Sequence, residues 1–526
     1  MNFKRKRTAV AALLFVGLYA LVMSCSTPVQ PTENASDGDG SVGVEKQSED
    51  ASAPKEQAAE PGPEALVDNV VEAEAEPAPE KEPGNESSGT SARPNILLII
   101  LDDYGVDSTK LYGKPNDGRD YAATPNLDSV CKSGVQFQNA WSTPLCSSTR
   151  ANILTGRHGF RTGIGEAIPR NEGIGVDEPT LPKILDANKS LGYAHANVGK
   201  WHLGTSQALG RNDAPNKMGW SHYTGVISGS PASYYKWDHV TNGQKTENTN
   251  YATSVTVKDA VSWLEKRDPK KPWLLWLAFN SPHDPLHLPP KELHNVSGLT
   301  GTDADIRQKP NAYFRAMVEA LDTEVGNLFT WLKDKNMFDN TVIIFIGDNG
   351  TQARAVLPPF DRRRSKGSIY QNGVHVPYCI SGPIVEKGGR TSDALVHTVD
   401  LFSTILEVAG VDVKNGLTSG FTYDSESLVP LLKDPNATFS RDWNFSYRFA
   451  WGKGLEGNQT LRNTTYKLVR TRDAQGVISD ELFNLKTDPL EEKNILDKPQ
   501  DQVTPDEKKN YNDLVTKLEA LLKTKK

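Results

Sequence analysis

Residues Asn95–Leu101 form a continuous apolar run, and Trp273 to Phe279 and Thr341 to Ile346 repeat it. A strand buried on both faces of a parallel sheet needs that pattern, apolar at every position rather than at alternate ones. Between these runs the apolar spacing changes to three and four near Asp259–Arg267 and Tyr313–Lys333, which predicts helices lying against the sheet. The expected class is therefore α/β, a mostly parallel sheet covered by helices on both faces, beginning at Arg93-Pro94 and running to about residue 415. From 416 to 526 the pattern shortens to polar-bounded strands, Lys467–Arg472 and Glu481–Leu485, with a closing helix over Pro505–Leu522. That stretch reads as a smaller C-terminal α+β subdomain, and no internal repeat is visible.

The first 92 residues do not read as part of either unit. Lys4, Arg5, Lys6 and Arg7 precede an apolar stretch from Ala9 to Met23, the arrangement of an export signal. Val22-Met23-Ser24-Cys25 resembles a bacterial lipobox, so Cys25 is expected to carry lipid and anchor the protein at the periplasmic or cell surface without spanning the membrane. The alternative is an ordinary secretory signal with an incidental cysteine. Residues 26–92 are rich in Glu, Pro, Ala, Ser and Gly and cannot bury enough apolar surface to fold, so they are expected to form an acidic tether. They hold 16 acidic and 3 basic residues, and residues 1–25 hold four basic ones, so of the chain's −7 the remainder, 93–526, carries +2. A slightly basic body suits an anionic substrate but lacks the concentrated charge of a nucleic-acid binder. After the N-terminus no apolar run reaches the roughly 20 residues a bilayer requires, which excludes a polytopic membrane protein.

Two of the buried runs end in oxygen-bearing pairs: Leu101 precedes Asp102-Asp103, and Gly347 precedes Asp348-Asn349. Open parallel sheets bind ligands at the carboxyl ends of their strands. If the two strands are neighbours, these four side chains meet and their charge demands a hard divalent cation, Ca²⁺ or Mg²⁺. A third segment, Pro144-Leu145-Cys146-Ser147-Ser148-Thr149-Arg150, suits a helix begun at Ser147 or Ser148 and stopped at Gly156, placing position 146 where an anion is welcome. Of the four cysteines, Cys131 and Cys379 lie in apolar surroundings and are expected to be core thiols, and no cluster suggests thiolate zinc. Arg362-Arg363-Arg364 reads as a solvated face or a contact for an anionic polymer. The aromatic stretch Gly219–Asn250 reads equally as a sugar-stacking wall or as core.

The segment from Cys146 resembles the sulfatase signature, C-x-P-x-R followed by four residues and T-G: Cys146, Arg150, Thr155 and Gly156 match, and Ser148 stands where the family prefers Pro or Ala. Further segments agree in order: Gly192-Tyr193, Gly199-Lys200-Trp201-His202-Leu203-Gly204, Pro282-His283, Lys366-Gly367-Ser368 with Tyr370, Gly373-Val374-His375-Val376-Pro377, Glu481 to Leu485, and Asp488-Pro489. The resemblance spans roughly residues 93 to 496 and implies an alkaline-phosphatase-like core.

It also implies roles. Asp102, Asp103, Asp348 and Asn349 would hold one divalent ion, usually Ca²⁺. Cys146 would be oxidised by a maturation enzyme to formylglycine, whose hydrate is the nucleophile. Arg150 would hold that hydrate, Lys200 and Lys366 the sulfate oxygens, His202 would contact the hydrate, and His283 would donate a proton to the leaving oxygen, with His287 a competing candidate. An aldehyde is useful because a sulfated gem-diol expels sulfate when its second hydroxyl loses a proton, avoiding another attack at sulfur. If His202 titrates near the ordinary histidine value, it could be the base for that elimination. The expected substrate is a sulfate monoester of a carbohydrate or aryl alcohol. Phosphonate or phosphate ester hydrolysis, or silent binding of sulfated glycans if Cys146 is not converted, are the alternatives.

Overall fold

A computed structural model describes residues 93–524 apart from 114–116, 170–171, 205–210 and 452–455. The export signal, Cys25 and the acidic tether lie outside the described residues. Ten strands form one sheet: β1 Asn95–Leu101, β2 Val135–Trp141, β3 Ala194–Lys200, β4 His222–Val226, β5 Trp237–Thr241, β6 Gln244–Asn248, β7 Trp273–Ala278, β8 Thr341–Gly347, β9 Tyr378–Ser381 and β10 Arg390–His397. Their spatial order is β10-β2-β9-β8-β1-β7-β3-β4-β5-β6. The centre, β8-β1-β7-β3-β4, is parallel throughout.

Every residue of β1 is buried, because both sheet faces are covered. Ile96, Leu98 and Ile100 point to one face, against Ile153 and Leu154 of the helix Cys146–Thr155 and Leu401, Ile405 and Leu406 of the helix Leu401–Ala409. Leu97, Ile99 and Leu101 point to the other, against the helices Ala252–Leu264 and Pro310–Asp334. The three apolar runs thus became the three central strands. Leu428, Leu431 and Leu432 also pack beneath the large sheet. The smaller antiparallel sheet follows them, in the order β11 Asn444–Arg448, β12 Asn458–Arg462, β13 Tyr466–Arg472 and β14 Ile478–Asn484, with its own core closed by Leu514 and Leu518 of the helix Pro505–Lys523.

The structure corrects the reading of two cysteines. Cys131, in the helix Pro125–Ser133, and Cys379, on β9, are joined by a disulfide with their Cα atoms 5.1 Å apart. Both are buried as expected, but they are not thiols. The helix packs directly on β9, and this proximity of residues 248 positions apart is invisible to local patterning. Most of the aromatic stretch is core: Trp220, Tyr223, Tyr234 and Trp237 are buried, and only Tyr235 among its large aromatics stands well exposed.

Register brings the site together. Leu101 pairs with Gly347, Ile100 with Ala278, and Gly199 with the same Ala278. The carboxyl ends of β8, β1, β7 and β3 therefore lie level, and Asp348, Asp102, Asn280–His283 and Lys200 leave the sheet side by side.

Candidate active site

Asp102, Asp348 and Asn349 are wholly buried, and Asp103 is 1% exposed. Asp103 turns the chain with φ of 69°, so that its N–H donates to Asp348 Oδ1 at 3.1 Å. Asn349 Nδ2 donates to Asp103 Oδ1 at 2.8 Å. The neighbouring strands expected from the sequence are thus observed, and the four oxygen-bearing side chains meet. Potential ligand atoms of Asp102, Asp103 and His283 lie within 4.8 Å of one another, as do those of Asp102, Cys146 and Asp348. Asp102 Oδ1 and Asn349 Oδ1 are buried and accept no hydrogen bond. Two orphaned hard oxygens among three buried carboxylates fit a divalent ion of the Ca²⁺ or Mg²⁺ type.

The charge balance around them is informative. Lys200 pairs with Asp102, Arg150 with Asp348 at 2.8 Å, and Lys366 with Asp103 at 2.6 Å. Three carboxylates and three cations cancel, so a divalent ion would leave the site positive and receptive to an anion. Burial pushes the Asp102 carboxyl well up; Lys200 opposes this, while Asp348 and Asp103 add to it. Burial also acts on Asp103, but Lys366, His283 and Lys200 outweigh it and bring the group down to about 2.

Cys146 opens its helix, one residue earlier than the sequence suggested, and Gly156 closes it with φ of 70°. The hydroxyl of Ser148, the departure from the signature, donates to Leu145 O at 2.9 Å and lies 2.7 Å from Thr143 Oγ1, so it braces the turn that presents Cys146. Arg150 is fully buried and bridges two strands, with Nη1 donating to Lys200 O at 3.1 Å as well as binding Asp348. The Cys146 thiol is raised by burial, against the pull of Lys200 and Lys366.

His202 lies just beyond β3 with φ of 55°, its carbonyl accepting from Ser147 Oγ at 2.7 Å and its Nδ1 3.2 Å from Cys146 Sγ. Backbone in this region is uncommon for non-glycine residues and persists where surrounding contacts over-determine it. Burial first, then Lys200 and Arg150, push His202 well down from the ordinary histidine value. His283 stands with Nε2 3.8 Å from Asp103 Oδ2 and Nδ1 2.8 Å from Asp284 O. Burial and Lys366 lower it to about 3, against the pull of Asp103. An anionic substrate would raise it. His287, the competing candidate, stacks on Tyr234 at 4.2 Å and meets Tyr251 Oη.

The structure thus gathers all ten predicted residues, Asp102, Asp103, Cys146, Arg150, Lys200, His202, His283, Asp348, Asn349 and Lys366, at one end of the sheet. Arg363 pairs with Asp361, while Arg364 lies 4.1 Å over the Tyr370 ring. Sequence reasoning missed Thr351 and Asp107. Thr351 Oγ1 receives Gly105 N–H at 3.1 Å and donates to Asp107 Oδ1 at 2.7 Å, tying the two carboxylate loops together. The clue was only their closeness to the acidic pairs.

Comparison with known proteins gives the same picture. A family model described as Sulfatase matches residues 94–411, and one described as N-sulphoglucosamine sulphohydrolase, C-terminal, matches residues 360–520. The chain is 28% identical over 346 residues to arylsulfatase J of Mus musculus, covering 63% of this chain and about half, 54%, of that protein. It is 24% identical over 507 residues to an N-acetylglucosamine-6-O-sulfatase of Bacteroides thetaiotaomicron, covering 79% and 84%. Among solved structures it resembles Ps i-CgsB in complex with k-i-k-neocarrahexaose, with a TM-score of 0.66, 25% identity and coverage of 82% and 93%.

Proposed function

This chain belongs to the sulfatase family, and on that premise we propose that it hydrolyses a sulfate monoester of a carbohydrate. One observation carries the reading: a cysteine at a helix N-terminus, three carboxylates, two lysines and a buried arginine converge where β8, β1, β7 and β3 end. That set matches the needs of a sulfate ester, whose spread negative charge is met by fixed cations that cost no reorganisation during reaction.

Asp102, Asp103, Asp348 and Asn349 would hold a divalent ion, Ca²⁺ or in its place Mg²⁺, which when bound draws charge from a sulfate oxygen. Formylglycine at position 146, made from Cys146 by a maturation enzyme, would supply the oxygen nucleophile. The chain's own residues do the rest. Lys200 and Lys366 hold sulfate oxygens, each already oriented by a carboxylate. Arg150, fixed by Asp348 and Lys200 O, fixes the group at 146. His202, against position 146, takes a proton from it. His283, brought toward its charged form by the anion, gives a proton to the departing alcohol oxygen.

A carbohydrate substrate is favoured by the relatives, one named N-acetylglucosamine-6-O-sulfatase and one solved in complex with k-i-k-neocarrahexaose. Export is supported by the buried disulfide, since such bonds persist in oxidising compartments, and the lipid anchor at Cys25 rests on the sequence pattern alone.

The test compares sulfate release from sulfated oligosaccharides and an aryl sulfate with phosphate release from the matching phosphate esters. Peptide mass spectrometry across residues 146–150 accompanies it. Faster sulfate release and a peptide about 18 Da lighter than its thiol form support the reading. Faster phosphate chemistry, or an unmodified thiol in protein from its own host, would refute it, the second pointing to glycan binding.

A further inference from the structure

The smaller sheet reaches the loop that carries Lys366 at several points, two of them acidic: Glu481 of β14 accepts from Tyr370 Oη, and Glu491 holds the loop's two ends. Glu491, 1% exposed and with φ of 60°, follows β14. Its carbonyl accepts from the Arg364 guanidinium, one carboxylate oxygen accepts the Gln371 N–H, and the other pairs at 2.7 Å with Lys467 of β13, itself fully buried. Arg364 and Gln371 bracket Lys366. Two further ties lie inside that bracket: Arg448 of β11 donates to Gly367 O at 2.6 Å, and Gly367 N–H donates to Pro144 O at 2.8 Å, two residues before Cys146. Lys467 Nζ also stands 4.9 Å over the ring of Trp141, the last residue of β2, from which the chain runs on to Cys146.

We propose that Glu491 is a positioning residue for Lys366: the buried Glu491–Lys467 pair fixes both ends of loop 364–371 and thereby sets where the Lys366 ammonium stands beside Asp103. The proposal rests on the reading of Lys366 as a sulfate contact. A buried ion pair adds little net stability, and its best-attested use is to specify one arrangement over others. Here the arrangement specified is that of a loop whose one functional side chain meets the substrate. The uncommon backbone angle at Glu491 agrees, because it lets main-chain carbonyl and side chain serve the same loop at once.

Glu491→Gln removes the charge, and Glu491→Gln/Lys467→Met removes both charges so that neither is left unpaired. Each is measured in the wild-type and Lys366→Ala backgrounds for kcat and KM on a sulfate ester, and for amide hydrogen exchange across residues 364–371. The expected result is a loss in kcat/KM on the order of 100-fold in the wild-type background, since a displacement of about 1 Å suffices for that. It should shrink to less than about threefold when Lys366 is already absent, because the two residues act as one unit. Exchange should quicken at Gly367 and Gln371. Equal losses in both backgrounds, or unchanged activity and exchange, would overturn the proposal. Arg364→Leu, which cuts one tether outside the buried pair, provides the same comparison if the pair is required for folding. If the wild-type protein releases no sulfate from any ester, the functional reading fails, and exchange alone then decides whether Glu491 holds the loop.

Discussion

Cutting the Cys131–Cys379 bridge should cost this protein a large part of its stability. The bond closes a loop of 248 residues. Chain-entropy arithmetic for a loop that long gives about 5.5 kcal/mol at 25 °C, and native disulfides in practice contribute about 2–5 kcal/mol. The replacement Cys131→Ala/Cys379→Ala removes two small buried groups, whose packing loss of roughly 1 kcal/mol each is the lesser effect. Against a total of about 5–15 kcal/mol for a typical folded protein, loss of the bridge takes between roughly a seventh of the stability and all of it. The assay is urea unfolding of wild type and the double variant, each with and without a phosphine reductant. Wild type should unfold at markedly lower urea when reduced, falling close to the variant, and the variant should be indifferent to reductant. The reasoning fails if wild type has the same midpoint in both buffers, or if non-reducing peptide mapping of the native protein finds no peptide linking residues 131 and 379.

Three other outcomes follow from the geometry. Lys200→Met leaves the Asp102 carboxylate without its ammonium partner and removes one oxyanion contact; kcat/KM for a sulfate ester should fall by about 10²–10³, and a loss under threefold would contradict the role given to Lys200. Chelation with EDTA should abolish turnover and lower the melting temperature, with added Ca²⁺ at about 100 times its dissociation constant restoring about 2.7 kcal/mol, read as a dose-dependent rise in melting temperature. Asp322 accepts N–H groups from Asn126 and Leu127 at the start of a helix, yet burial raises it from 3.8 to about 6, so between those values the native state holds more protons than the unfolded chain and this group's stability contribution falls as pH rises; Asp322→Asn should flatten that part of a melting-temperature profile measured from pH 3.5 to 7.

What the amino-acid order determined alone is local and periodic. Residues 96–101, 273–278 and 342–346 are apolar at every position, a pattern that only double-sided burial demands, so strands and class were legible. The acidic pairs after two of them and the Cys146 to Gly156 segment were legible as well, since each motif lies within a dozen residues. Tertiary structure decided whatever depends on distant groups meeting. Cys131 reaches Cys379, Glu491 reaches both ends of the Lys366 loop, and Trp220, Tyr223 and Trp237 turn inward. His202 is pushed well down because burial and the charges of Lys200 and Arg150, from separate segments, act on it together. Electrostatic energy sums over neighbours in space, and strand register, not sequence separation, chooses those neighbours.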